Sequence, residues 1–159
     1  AFIDADDQWV KNKIEDQLKY MLDNSINFSH TSYKIINEKD EHISSRRAKN
    51  FLHINDLIKS CDIGLSTVLL KKQILKSNRF PDLKTKEDFV LWLKLILDNV
   101  KMHGLDKNLT LWRKENNSLS SSTIQKLFDG FRVYNSYMKF NVFKSLYYLL
   151  CLSLNYLKK

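Results

Sequence analysis

A mixed α/β fold is what this chain predicts, on three observations. Apolar residues recur at helical spacing in some stretches. β-Branched and aromatic residues gather in short runs in others. The two kinds of segment are interspersed without a regular strand–helix–strand repeat or any internal duplication. The 159 residues suffice for one modest domain, and a composition of 43% hydrophobic and 28% charged residues suits a packed core under a solvated surface. Three Gly and one Pro leave no low-complexity linker.

In chain order, Phe2 and Ile3 read as the end of a buried strand. Residues 8–24 read as a helix, capped by Asp6 or Asp7, whose apolar face carries Trp9 or Val10, Ile14, Leu18 and Met21 or Leu22. Residues 26–36, with Thr31 and Tyr33, suit a strand, and residues 37–40 a turn. Residues 42–49 are polar and carry no clear period. Residues 52–59 suit a short helix and 64–70 a strand. Residues 85–99 predict a strong helix with Phe89, Trp92, Leu93, Ile96 and Leu97 on a broad apolar face. Two short strands follow, 102–105 and 109–112, then a polar loop at 116–122 and helix from Thr123 with a break near 139–141. The last segment, 142–157, is rich in Leu and Tyr but shorter than the roughly 20 apolar residues of a spanning helix. It reads as a helix packed on its own domain, or as one lying at a lipid headgroup layer with Lys158 and Lys159.

The net charge of +8 comes from Lys and Arg spread along the whole chain. It admits nucleic acid, anionic lipid or a phosphate-bearing substrate as partner, or simply a solvated basic surface. Cys61 and Cys151 are isolated and flanked by apolar or neutral residues, so buried thiols in a reducing cytoplasm are expected rather than a disulfide or a zinc site. None of the four His residues pairs at a ligand spacing, and there is no glycine-rich phosphate loop.

Two carboxylate clusters carry candidate chemistry. If the opening strand continues through residues 4–6, Asp4 and Asp6 share one face and could hold Mg²⁺ or Mn²⁺ with water and phosphate oxygens completing the shell. The same acids could equally be a turn before a helix. Glu87 and Asp88 open the long helix, where Thr85 and Asp88 have the spacing of an N-cap and its acidic partner. The helix dipole then tends to lower a carboxylate's pKa there. The alternative is a general base that takes a proton from an acceptor hydroxyl. Arg113 and the loop holding Ser118 and Ser120 could cradle a phosphate, or form an ordinary surface loop before a capped helix.

Taken together and in order, these motifs resemble the second half of a bacterial family 2 glycosyltransferase of the GT-A fold. Phe2-Ile3-Asp4-Ala5-Asp6-Asp7-Gln8-Trp9 is similar to the family's DXD stretch, and Lys13-Ile14-Glu15-Asp16-Gln17-Leu18 to the helix after it. Gly64-Leu65-Ser66-Thr67-Val68 resembles the strand lining the acceptor cleft. Arg79-Phe80-Pro81-Asp82 and Glu87-Asp88-Phe89-Val90-Leu91-Trp92-Leu93 resemble the acidic motif and its helix. The stretch from Trp112 and Arg113 to Ser118 and Ser120 resembles the basic, serine-rich segment that closes over the donor phosphates, although Glu115 stands where many members have His.

The resemblance implies a fold that is the C-terminal part of a GT-A mixed-sheet domain over residues 1–122, lacking the nucleotide-binding half, followed by a helical extension over 123–159. It implies a metal, Mg²⁺ or Mn²⁺, at Asp6 and Asp4, and Asp88 as base with Glu87 shaping the site. Arg113, Ser118 and Ser120, with Asp4, would bind the donor. The reaction implied is inverting transfer from a nucleotide sugar, commonly UDP-linked, to a saccharide or lipid-linked saccharide of a cell-surface polysaccharide. The setting implied is the cytoplasm or the inner face of the membrane, with no nucleic-acid partner. The chain alone is expected to bind donor poorly, and an exposed sheet edge could pair it into a homo-oligomer. The competing expectation, from charge and the Tyr- and Lys-rich end, is a basic module that binds nucleic acid or a membrane surface without catalysis.

Overall fold

The computed structural model describes residues 1–114 and 122–157. Five strands form one mixed sheet: β1 (Gln8–Trp9), β2 (Phe28–Ile36), β3 (His42–Arg46), β4 (Leu69–Leu70) and β5 (His103–Arg113). Their order is β1-β5-β2-β3, with β4 pairing the start of β2. β2 and β5 run parallel along most of their length, while the other pairs are antiparallel. The helices are α1 (Lys13–Asp23), α2 (Ile54–Leu57), α3 (Glu87–Leu97), α4 (Thr123–Arg132) and α5 (Val142–Leu157), with a π-helical turn at Val133–Tyr137 between the last two.

α3 is the centre of the core. Phe89, Val90, Leu91, Trp92, Leu93, Leu95 and Ile96 are all buried, the pattern of a helix surrounded on every side. Trp92 meets Phe28 of β2 edge-on at 5.1 Å between ring centroids, and Phe2 packs against Trp92 and Phe80. Val133, Tyr134 and Leu152 belong to the same core cluster. Residues on both sides of position 122 therefore share one hydrophobic interior.

Several elements differ from the sequence expectation. The first helix starts at Lys13, after Asn12, and neither Asp6 nor Asp7 caps it. Residues 8–9 join the sheet instead, Gln8 opposite Leu111 and Trp9 opposite Thr110. The buried face of α1 is the polar one, with Lys13, Gln17 and Met21 inside, while Ile14, Leu18 and Leu22 face outward at 39%, 46% and 66% exposure. The reason is satisfaction of the polar ends. Gln17 Nε2 donates to the Ser29 carbonyl, the Ser29 hydroxyl and the Thr67 carbonyl. Lys13 Nζ donates to Gln17 Oε1 at 2.9 Å and lies 4.4 Å from the Trp9 ring centroid, and burial pulls its pKa down to about 8.

Phe2 and Ile3 are not in a strand. Residues 64–70 form a 3₁₀ turn at Leu65–Thr67 before the two-residue β4. The two strands expected at 102–105 and 109–112 are one strand, β5, because a register shift accommodates the extra residues: Thr31 pairs with Leu105 and Ser32 with Asn108. The Asp106 carboxylate pins this irregularity by accepting from the Ser32 hydroxyl and the Arg47 guanidinium.

At the start of β5 the chain at Lys49 crosses Gly104 so closely that a Cβ there would stand 2.7 Å from the Lys49 nitrogen. Backbone atoms cannot swing away, so Gly104→Ala should cost about 1–3 kcal/mol. Chemical denaturation would read this as a lower midpoint at unchanged slope; a wild-type midpoint would contradict the close approach.

Candidate active site

The opening acids lie in a turn, not on a strand. The Asp7 N–H donates to the Asp4 carbonyl at 3.1 Å, so of the two readings open for these acids, a continuing strand or a turn before the helix, the turn is the one found, and Asp4 and Asp6 do not alternate along a strand. Ser66 fixes this turn. Its hydroxyl accepts from the Asp4 N–H at 3.0 Å, and its carbonyl accepts from Trp9 Nε1 at 2.8 Å and from the Thr110 hydroxyl at 3.3 Å. Asp7 is the buried member and accepts from the Arg113 N–H at 2.9 Å, while its Oδ2 has no hydrogen-bond partner. Burial pushes its carboxyl up to about 6, offset in part by the Ser66 hydroxyl and the Arg113 N–H. Asp4 and Asp6 keep solvent contact. Asp4 is raised by burial and by the neighbouring Asp6 charge.

Arg113 ends β5 beside this turn, and its side chain is held on all sides. Nε donates to the Asp6 carbonyl at 3.1 Å, Nη1 to the Asn37 carbonyl at 3.0 Å, and Nη2 pairs with Asp40 at 2.7 Å. The guanidinium thus ties the acidic turn to the β2–β3 hairpin.

Glu87 and Asp88 begin α3 as expected, but the cap is different. The residue before the helix is Lys86, at φ 64°, and it makes no side-chain cap bond. The Thr85 N–H and hydroxyl both donate to Asp129 Oδ2 of α4 at 3.0 Å, and Gln125 Nε2 donates to the same oxygen at 2.8 Å. Asp129 is fully buried, with its other oxygen 3.6 Å from Arg132.

The expected lowering of Asp88 by the helix dipole is also overturned. Its pKa is pushed up to about 7, first by burial and then by the Glu87 charge, with Asp4 a smaller contributor. Desolvation outweighs the dipole and the 2.6 Å bond from the Phe89 N–H. Glu87 is raised by burial, with Asp4 and Asp129 among its charged neighbours. Tyr33 is pushed up to about 12, chiefly by burial, with both Asp88 and Asp7 adding to the shift.

The structure therefore brings Asp4, Asp6, Asp7, Glu87 and Asp88 into one electrostatic neighbourhood, and Tyr33 feels the charge of both Asp7 and Asp88. Within it Asp4, Asp7, Glu87 and Asp88 are raised, and such a group is where proton transfer is to be sought. Ser118 and Ser120 lie outside the described residues. Ser66, Tyr33, Asp40 and Asp129 are the participants that sequence reasoning did not mark. Ser66 falls inside a motif it did quote, and Tyr33 and Asp40 inside the strand and turn it did read, but Asp129 carries no local signal.

Among the described residues no group of three or more His, Cys, Asp or Glu is arranged to hold a metal ion by itself. The donor set suits only a hard cation that keeps one or two carboxylates and takes its remaining ligands from water and phosphate, the usual habit of Mg²⁺. Asp4 and Asp6, like-charged neighbours without an ion pair among the described residues, meet that description.

No family model matches the chain. It is 34% identical over 151 residues, 94% of its length, to a UDP-Glc:α-D-GlcNAc-diphosphoundecaprenol β-1,3-glucosyltransferase, WfgD of Escherichia coli, of which it covers 58%. It is 32% identical over 77% of its length to TuaG of Bacillus subtilis, a putative teichuronic acid biosynthesis glycosyltransferase, covering 49% of that protein. The fold matches S. aureus TarS residues 1–349, solved in complex with UDP-GlcNAc, with a TM-score of 0.63 at 18% identity over 93% of this chain and 45% of that one. The chain is thus similar to bacterial glycosyltransferases, and it spans about half the length of the proteins named here. The expected fold, a GT-A-type mixed sheet followed by helices, is the fold found.

Proposed function

We propose that the chain carries the acceptor-activating part of an inverting, metal-dependent glycosyltransferase of cell-surface polysaccharide synthesis. The donor is a nucleotide sugar, most simply UDP-linked, and the acceptor a hydroxyl of a saccharide or lipid-linked saccharide. The observation that supports this best is the shared field of Asp4 with Glu87 and Asp88: the Asp4 charge, more than eighty residues away in sequence, acts on both carboxyls at the start of α3. The glycosyltransferase relatives and the UDP-GlcNAc bound by TarS support the class of donor.

In this reading Asp88 accepts the proton of the acceptor hydroxyl as its oxygen attacks the anomeric carbon. The bond from that carbon to the donor diphosphate breaks on the opposite face, and the nucleoside diphosphate leaves with the electron pair. A carboxylate near pH 7 is a far better base than an ordinary one. Glu87 holds negative charge beside it and helps keep it raised. Asp6 and Asp4 would hold Mg²⁺ or Mn²⁺, which when bound neutralises the diphosphate leaving group. Arg113 braces the Asp6 turn and is assigned to the donor phosphates, for which it must exchange its Asp40 partner. Ser118 and Ser120 are assigned to the same phosphates. The reading places the protein in the cytoplasm, at the inner face of the membrane when its acceptor is lipid-linked.

The direct test is Mn²⁺-dependent hydrolysis of a nucleotide-sugar panel by the full-length protein, wild type against Asp6→Asn. The variant should weaken metal-dependent donor binding roughly tenfold or more, in line with losing one charged ligand. An unchanged metal titration would remove Asp6 from the metal site.

A further inference from the structure

α5 is apolar on two faces, and the described residues cover only one of them. Ser145 and Leu152 are buried, and Tyr148 and Leu149 pack against the core. On the other side Phe143, Leu146, Tyr147, Leu150, Leu154 and Leu157 recur at the spacing of one helix face. All six are exposed, Phe143 at 85% and Leu150 at 58%. A surface helix ordinarily turns charged and polar residues to water. This one turns a stripe of Leu and aromatic side chains, roughly 21 Å from end to end.

The charge of this part of the chain is one-sided. From residue 116 onward the single acid is Asp129, which is fully buried, against Lys126, Arg132, Lys139, Lys144, Lys158 and Lys159. Lys144 stands one residue from Phe143, about 100° round the helix, so it flanks the stripe. Lys59 flanks it from α2: its Nζ lies 5.9 Å from the Tyr147 ring centroid, and Asn155 Nδ2 ties α5 to its carbonyl. The acids on either side of Lys59 in sequence are engaged elsewhere. Asp62 pairs with Lys49 at 2.9 Å, and Asp56 accepts from the Leu52 and His53 N–H groups.

We propose that the outward face of α5 docks on an anionic lipid bilayer, its Phe, Leu and Tyr side chains entering the acyl boundary and Lys59 and Lys144 reaching the lipid phosphates. Because the other face is packed on the core, α5 lies in the plane of the surface and does not cross it. Charge and shape favour lipid over protein as the occupant. A second copy docked through the same stripe would set Lys59 and Lys144 near their own duplicates. A neutral apolar segment would cover the stripe and leave the lysines unanswered. An anionic bilayer meets both, as it does for interfacial helices in general. The proposal goes beyond the transferase reading without resting on it: it assigns a membrane contact to one helix and to the lipid phosphates.

The test is co-sedimentation of the full-length protein with phosphatidylcholine vesicles, with and without phosphatidylglycerol. The wild type should bind the anionic vesicles about tenfold or more tightly, and added salt should erase most of that margin. The double variant Phe143→Ser/Leu150→Ser should weaken this binding about tenfold or more, through lost apolar burial. Lys59→Gln/Lys144→Gln should weaken it about fivefold or more. Phe143 and Leu150 are both exposed, so the first variant should melt like the wild type. Absence of binding to anionic vesicles, equal binding to neutral ones, or an affinity untouched by either variant overturns the proposal. A lowered melting temperature in the first variant would show another part of the chain covering the stripe, and a wild-type dimer that this variant dissociates would show a second copy there; each overturns it as well. Nucleotide-sugar hydrolysis without vesicles judges the transferase reading separately.

Discussion

Asp88→Asn should lower sugar transfer by about 10²–10⁴-fold, the usual contribution of a positioned general base, while leaving most donor binding in place. The amide keeps the shape of the side chain and its acceptor oxygen toward the Phe89 N–H, but it cannot take a proton. In the wild type the rate should rise with pH through about 7, where Asp88 loses its proton, and fall away on the acid side. The variant's residual rate should lack that step. Stability should move the opposite way. Because the folded carboxyl is raised, it retains a proton between about pH 4 and 7 that the unfolded chain has already released. Its contribution is whole below the unfolded value and is lost as pH rises through the folded one. The Asn variant is spared that loss, so its melting temperature should overtake the wild type's as pH goes from 4 to 8. Equal transfer rates would refute the base assignment, and a pH-independent melting difference would show that Asp88 is not raised.

That opposition between stability and activity explains what was legible in the sequence. α3 could be read directly, because a helix apolar on nearly every side has one solution, burial. The positions of the acids were legible as well, since Asp4, Asp6 and Asp88 are few and stand at element ends. Their environment was not. The helix start argues for a lowered Asp88, and only the packed surroundings reverse it, the desolvation exceeding the dipole. α1 shows the same limit in its packing. Its apolar stripe of Ile14, Leu18 and Leu22 points outward because Ser29 and Thr67, from other parts of the chain, satisfy Gln17 inside. Hydrophobic periodicity assumes that polar side chains have no partners waiting in the interior. The choice between strand and turn at Asp4–Asp6 stayed open for a related reason: the Ser66 bonds that fix the turn come from the 3₁₀ turn at Leu65–Thr67.

Asp129 was invisible by sequence, yet it should be the second most sensitive position. It is a mid-helix acid in α4, fully buried, and one of its oxygens accepts three bonds, from the Thr85 N–H, the Thr85 hydroxyl and Gln125. Burial acts to raise its carboxyl, but these bonds and Arg132 outweigh it and hold the group below the usual range. Asp129→Ala leaves three donors without their acceptor in a buried place and should cost roughly 2–4 kcal/mol. The turn it releases is the one that aims Asp88, so turnover should fall about tenfold beyond any loss of folded protein, with donor KM little changed. Thr85→Val, which removes only the hydroxyl, should show about 1 kcal/mol of the same effect. The site thus depends on a helix beyond residue 122, as does the core, where the Tyr134 hydroxyl donates to the Ile58 carbonyl at 2.7 Å and Asn155 to the Lys59 carbonyl at 2.9 Å. Thermal melts paired with single-turnover rates separate the two consequences. An Asp129→Ala protein with wild-type melting and wild-type turnover would show that α4 does not set the position of the base.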